Sequence, residues 1–347
     1  MLSRPDPALD VALVTQAAAL EALRPEWEAL WLQAPAATPF QSPAWLIPWW
    51  RHIGQGKLLT LVLREHGALV GLLPFYVHGG EGSRRLFPLG IGTTDYLDAV
   101  AMPGREAAVM TAAFQQLAVL ADHFDIAEWP QLRPDATLLH TAPPGWMSQT
   151  GPDVVCPATP LPRHLDDLGS VVWRKTLRDL RTVRKRAGEA GTLRWVEAGA
   201  GSLDRIFDAL LRLHAAHWQT RGQSGVLAAP AVQAAHRAAL PELARAGLLR
   251  LQSLHLDDAV IAVLYALIDP PHRPARRIYL YISGFDPAFD RLSPGMLLIG
   301  HAMEQAVTEG FATLDFLRGQ ERYKYFWGAE DETSFRRLLR PPAGAGP

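Results

Sequence analysis

Apolar side chains at Leu20, Leu23, Trp27, Leu30 and Trp31 have the spacing of one helix face. They predict a helix from a Thr15 cap to about Gln33, behind a short strand at 9–14. Ser42 then offers an N-cap, with Pro43 at the first helical position and Trp45, Trp49 and Trp50 following. Two apolar runs, 58–65 and 68–77, flank His66-Gly67 and read as a hairpin. A strand near 85–89, a loop at 90–96 and a segment at 97–101 follow. They lead to a helix at about 104–122 and a strand at 125–129.

The second half repeats this order. A long helix is predicted at about 166–190, a strand at 193–197, and helices at about 202–221 and 230–246. Runs 248–256 and 259–268 form a second hairpin around Asp257-Asp258. A strand at 278–283, a helix at 294–309 and a strand at 313–317 complete the series. The hairpins can be laid over each other: Leu58-Leu59-Thr60-Leu61 on Leu248-Leu249-Arg250-Leu251, and Ala68-Leu69-Val70-Gly71 on Ala259-Val260-Ile261-Ala262. This reads as a divergent internal duplication with halves at 1–160 and 161–347. The proline-rich stretch 130–165 reads as the crossover.

At 347 residues, 48% hydrophobic and 20% charged, the chain fits two globular domains. Its net charge of -1 gives no global bias toward nucleic acid or membrane. A single cysteine, Cys156, excludes an internal disulfide and a Cys-rich zinc site. Met1–Pro7 lacks a leader pattern, and no run reaches membrane-span length. The expectation is a cytoplasmic protein without stable membrane insertion.

Five stretches carry a family likeness. They are Phe40-Gln41-Ser42-Pro43-Ala44-Trp45 with Trp49-Trp50, Asp95-Tyr96-Leu97-Asp98, and Leu213-His214 with Trp218 and Arg221-Gly222. The others are Ser293-Pro294-Gly295-Met296-Leu297-Leu298, and Asp315-Phe316-Leu317-Arg318-Gly319 with Glu321, Tyr323-Lys324 and Trp327. In order and spacing these resemble the CelD/BcsL family of GNAT acetyltransferases. Tyr323-Lys324-Tyr325-Phe326-Trp327-Gly328 also resembles the Phe-Lys-x-x-Trp-Gly segment of the related FemABX peptidyltransferases. The resemblance implies an α/β (α+β) fold of tandem GNAT type, each half a mixed, mostly antiparallel sheet flanked by helices. It implies acetyl-CoA or another acyl-CoA as co-substrate, and a small-molecule or glycan acceptor in envelope or exopolysaccharide synthesis. The FemABX side implies aminoacyl-tRNA as the alternative donor. A non-catalytic binding protein that keeps the fold is the third option.

Acyl transfer needs the donor phosphate held, the carbonyl oxygen polarised and a proton removed from the acceptor. Arg291, Ser293, Gly295, Met296 and Leu297 open a helix after a strand, where backbone N–H groups favour a phosphate. The GNAT pattern Arg/Gln-x-x-Gly-x-Gly/Ala is incomplete there, and the plain alternative is a Ser-Pro helix start. Lys324, one of only four lysines, lies among aromatics. It is a candidate to steady an oxyanion or a donor phosphate, or a lysine whose stem covers an aromatic surface. Asp315 and Glu321 are candidate acceptor-side bases, or partners of arginine.

Asp95, Tyr96 and Asp98 are candidate acceptor-binding residues of the first half, with a capped loop as the alternative. The resemblance adds His214 to the substrate side. His214 and His217 lack the Glu of a metalloprotease helix, and no metal is expected. Arg174, Arg178, Arg181 and Lys185 share one stripe, with Leu177, Leu180 and Val183 on the buried side. The stripe is either a solvated face or a patch for an anionic substrate, an anionic membrane or tRNA.

Overall fold

The computed structural model describes residues 9–219 and 222–342. Arg221 of the family-like stretch, the end of the helix expected to reach 221, and Met1–Pro7 lie outside the described residues. The chain forms two compact units. One holds the described residues up to Val154 and from Thr333 onward; the other runs from Val155 to Glu332. The division is therefore not one cut near 160, because the last strand returns its final residues to the first unit.

The first unit begins with β1 (Asp10–Val14), α1 (Ala17–Ala22), α2 (Arg24–Gln33) and α3 (Pro43–His52). The expected single helix to Gln33 is broken at Leu23, and Pro25 starts the second piece. Then come β2 (Lys57–Leu58), β3 (Thr60–Glu65), β4 (Ala68–Leu73), β5 (Phe75–His78), β6 (Arg85–Pro88) and β7 (Val100–Ala101). Next are α4 (Glu106–Val119), β8 (Ile126–Leu132) and the start of β9 (Met147–Pro160), whose residues from Val155 belong to the second unit. Strands pair in the order β1-β3-β4-β7, and β2-β5-β6-β8 form a second run. The expected crossover at 130–165 contains β9, a 14-residue strand despite Pro152 and Pro157. Leu61, Leu63, Phe75, Phe114 and Trp129 form this unit's core.

The second unit holds α5 (Leu168–Val171), α6 (Arg174–Ala190), β10 (Leu193–Glu197), α7 (Leu203–Gln219), α8 (Pro230–Arg245), β11 (Leu249–Leu256) and β12 (Ala259–Ile268). These are followed by β13 (Arg277–Phe285), α9 (Pro294–Thr308), β14 (Thr313–Asp315), α10 (Arg322–Phe326) and the start of β15 (Glu330–Arg340). The helix expected at 166–190 breaks at the extended Val172. Strand order is β10-β11-β12-β13-β14-β9. Leu254, Ile261, Leu264 and Ile278 of the sheet pack with Leu180 of α6 and Leu297 and Met303 of α9.

The repeat is visible in both units. Each hairpin turn starts with a non-glycine residue at positive φ, His66 (50°) and Asp257 (52°). Each first strand shifts register just before its turn, at Leu63/Arg64 and at Leu254/His255. Each unit also has one parallel strand pair bridged by a helix: β6 and β8 around α4, and β13 and β14 around α9. No described helix is long and apolar enough to cross a membrane.

Candidate functional site

The parallel pair of the second unit is short. Arg277, Ile278 and Tyr279 of β13 face Thr313, Leu314 and Asp315 of β14, and pairing stops there. Among the described residues β13 runs on to Phe285 with only β12 beside it, so its other edge has no strand partner there beyond Tyr279. In a strand–helix–strand unit the C-terminal ends of both strands and the N-terminus of the helix share one edge. The end of β13, the mouth of α9 and the exit of β14 therefore meet where the two strands part.

The exit of β14 is held tightly. Asp315, 0% exposed, accepts the Leu317 N–H at 2.8 Å and a bond from Arg277 at 3.3 Å. Arg277 also grips Glu332 with both terminal nitrogens at 2.9 Å. Burial alone would lower the Arg277 pKa; its bond to Glu332 and the charges of Asp315 and Glu332 outweigh that and raise it. Leu317 sits at φ 58° and Gly319 at φ 108°. A leucine in the left-handed region costs about 1–2 kcal/mol and persists only where its surroundings fix it.

Lys324 supplies that fixation. Its ammonium donates to the carbonyls of Leu317 (3.1 Å), Arg318 (3.0 Å) and Gly319 (2.8 Å), and Glu321 lies at 2.9 Å. An ammonium has three N–H donors, and with Lys324 only 3% exposed all of them are turned inward. Neither an oxyanion-facing lysine nor a stem spread over aromatics fits this arrangement. Lys324 is a clamp on the 317–319 loop. Asp315 is sealed and engaged, whereas Glu321 keeps 57% of its side chain exposed.

At the α9 mouth, Ser293 is the N-cap residue, in the left-handed region (φ 47°, ψ 57°), and makes no side-chain cap bond. The N–H groups of Met296 and Leu297 turn back to the Ser293 carbonyl at 3.0 and 3.2 Å. Pro294 has no N–H, so the Gly295 N–H is the one left over. A Cβ on Gly295 would lie 3.7 Å from the Phe285 ring, an ordinary contact, so packing does not demand glycine there. Arg291 is exposed. The amide cradle expected from five residues is thus reduced to Gly295, with Arg291 nearby in sequence.

His214 is buried and its Nε2 accepts from the Trp218 indole at 2.9 Å. Burial, with a smaller push from His217, lowers its pKa to about 4, so it stays neutral. It fixes Trp218 instead of presenting a binding group. Gly284 packs closely beside it: a Cβ there would lie 3.0 Å from the His214 main-chain nitrogen, a tight contact. Sequence reading passed over Arg277, Tyr281 and Ser283. The signal was the period-two series Tyr279, Tyr281, Ser283 against Leu280 and Ile282. Tyr281 packs against His236 and Tyr265 at 5.6 and 5.4 Å, and Ser283 is exposed.

In the first unit the Phe40-Gln41-Ser42-Pro43 stretch is a scaffold. Trp27 and Trp31 donate to the carbonyls of Gln41 (3.0 Å) and Thr38 (2.8 Å). Gln41 closes a capping box with Thr38 and donates to the Tyr96 carbonyl. Asp95 and Tyr96 are buried. The Asp98 carboxylate accepts from Ala99 (2.8 Å), Thr137 (2.8 Å) and Leu138 (2.9 Å). Burial raises its pKa to about 7, against the pull of these N–H groups. Thr38, Gln41, Tyr96, Asp98, Arg133 and Asp135 line a small recess of about 10 Å³, room for about one water. Among the described residues no cluster of His, Cys, Asp or Glu has metal-binding geometry.

Residues 174–325 match the family model described as "Acetyltransferase (GNAT) domain". The match runs from the start of α6 into α10 and contains the strand parting. No curated protein matches the sequence. Among solved structures, FemX is similar with a TM-score of 0.66 at 10% identity, over 94% of this chain and 96% of that one. A conserved protein of unknown function from Bacteroides thetaiotaomicron VPI-5482 gives 0.61 at 12%, over 95% and 100%. The C-terminal domain of a protein designated a lysylphosphatidylglycerol synthetase, from Agrobacterium fabrum, gives 0.53 at 14%, over 80% and 82%. At these identities the likeness is one of fold. The fold is mixed α/β of the tandem GNAT type.

Proposed function

We propose that the chain is an acyltransferase that moves an acyl group, acetyl in the first instance, from acyl-CoA to an amine or hydroxyl. The observation that carries this is the parting of β13 and β14 above the strained Leu317. The open edge of β13 offers main-chain N–H groups to a thioester carbonyl. Gly295 N–H and Arg291 are the groups for the donor phosphates. Lys324 and Asp315 act as positioning residues for the 317–319 loop. The acceptor nitrogen or oxygen attacks the thioester carbon, the carbon–sulfur bond breaks, and the thiolate leaves, to be protonated by solvent or by the proton the acceptor gives up. Glu321 is the solvent-reached carboxylate available to take the acceptor's proton. The CelD/BcsL-like motifs support a sugar or lipid-linked acceptor.

Isothermal titration with coenzyme A and acetyl-CoA tests the reading. Binding weakened in Gly295→Glu supports it, and absence of heat at millimolar ligand overturns it.

A second reading is favoured by the sparse cradle at α9, where a single amide is left for a pyrophosphate. In it the donor is an aminoacyl ester on tRNA, as in the FemABX proteins the motifs resemble. Transfer from aminoacyl-tRNA together with indifference to acetyl-CoA would select it.

A further inference from the structure

The outer face of α6 carries a row of arginines that no acidic group answers among the described residues. The helix buries Thr176, Leu180, Val183 and Ala187. Directly opposite, by the 3.6-residue period, stand Arg174, Arg178, Arg181 and Lys185, all exposed. Of the other cations of the helix, Arg184 is bidentate to Glu304 (2.8 and 2.6 Å) and Lys175 bonds Asp179, while Arg186 is exposed beside the row. Lys185 has only a loose contact with Glu189 at 3.9 Å. Among the described residues no ion pair reaches Arg174, Arg178 or Arg181. The row is about 17 Å long at the helical rise. The helix holds seven basic and two acidic residues, although the whole chain is at -1.

An aromatic group stands at the end where the row begins. Trp173 is 56% exposed, and its ring packs 5.2 Å from Phe326. Arg322 lies 5.6 Å over that same Phe326 ring, and the neighbouring Tyr323 is 47% exposed. Tryptophan and tyrosine have an apolar body and a polar edge, and favour the boundary between headgroups and acyl chains. Cations in a row beside such rings complement lipid phosphates.

We propose that this face docks on an anionic phospholipid bilayer. Trp173 and Tyr323 enter the headgroup layer, and Arg174, Arg178, Arg181 and Lys185 lie along the lipid phosphates. A straight row on a convex helix suits a plane. A single strand of nucleic acid is held instead in a groove that tracks its backbone. The proposal is independent of the acyl-transfer reading.

The test is co-sedimentation of the full chain with phosphatidylcholine vesicles, with and without phosphatidylglycerol, at low and high salt. Binding is expected only to the anionic vesicles, weakening with salt. It should fall roughly tenfold or more in Arg178→Glu/Arg181→Glu, and also in Trp173→Ala. These side chains are exposed, so circular dichroism should show both variants folded. No binding to anionic vesicles at low salt overturns the proposal, and so does equal binding by the charge-reversed variant. Retention of RNA without vesicle binding, lost in that same variant, also overturns it and assigns the face to nucleic acid.

Discussion

Arg277 donates to Asp315 across 3.3 Å at the point where β13 and β14 part. Asp315 has no exposed surface, so the pair lies in a poorly solvated place at the root of the candidate site. Removing one member of such a pair leaves a buried charge without its partner. Arg277→Met is expected to destabilise the second unit by about 3 kcal/mol, read from urea unfolding. Replacing both groups, in Arg277→Met/Asp315→Leu, should recover part of that loss. A double variant no more stable than the single one would show that the pair is not acting as a unit.

Lys324 holds three consecutive residues through their carbonyls. Lys324→Met keeps the length of the stem and removes the charge-assisted bonds. A loss of about 2–3 kcal/mol is expected, with faster proteolysis and hydrogen exchange at 317–319. Acetyl-CoA affinity should weaken because the loop is no longer preorganised. A variant with native exchange rates at 317–319 and abolished turnover would instead assign Lys324 to the chemistry.

The hairpins, the helix–strand order and the doubling were legible because they rest on periodicity and turn residues. Positive φ at His66 and Asp257 is the local geometry such turns demand. Helix breaks at Leu23 and Val172 were not, since apolar spacing continues across both. For the site, sequence identified the right region around 315–324 but not the direction of its side chains. Lys324 reads alike whether it faces a ligand or three carbonyls, because only the φ of Leu317 and Gly319 turns those carbonyls toward it. Arg277 was illegible because Asp315 is 38 residues away and joined to it only by a parallel pairing.

Acid should act with opposite sign on two sets of buried groups. His214 and His236 are both lowered to about 4 by burial, below their ordinary value near 6.5. Between these values the unfolded chain binds more protons, so their contribution is whole above pH 6.5 and is lost as pH falls toward 4. The slope is up to about 1.4 kcal/mol per pH unit for each group. Asp98 is raised to about 7, so there the folded state binds the extra proton. Its effect is to raise stability as pH falls from 7 toward 4. Urea midpoints at pH 7.5 and 5 should separate the two. His236→Phe should shrink the acid loss, and Asp98→Asn should enlarge it. Identical pH dependence in all three proteins would remove both assignments.

α6 and α9 touch through Gly300, where an added Cβ would lie 2.7 Å from the Leu180 side chain. Two effects oppose each other in Gly300→Ala. Alanine gains about 1 kcal/mol over glycine in a helix interior. Overpacking a buried contact costs about 1–3 kcal/mol. Leu180 is buried among Leu297, Met303 and their neighbours, so it cannot simply swing away. The net expectation is a loss of about 1 kcal/mol. Leu180→Ala alone should lose about 2–4 kcal/mol through the space it empties. In the double variant the new methyl at 300 no longer meets the leucine and partly fills that space. Its loss should therefore be smaller than the sum of the single losses by at least about 1 kcal/mol. Strict additivity in unfolding free energy would mean that the helices already relax around the alanine, and that Gly300 does not set their approach.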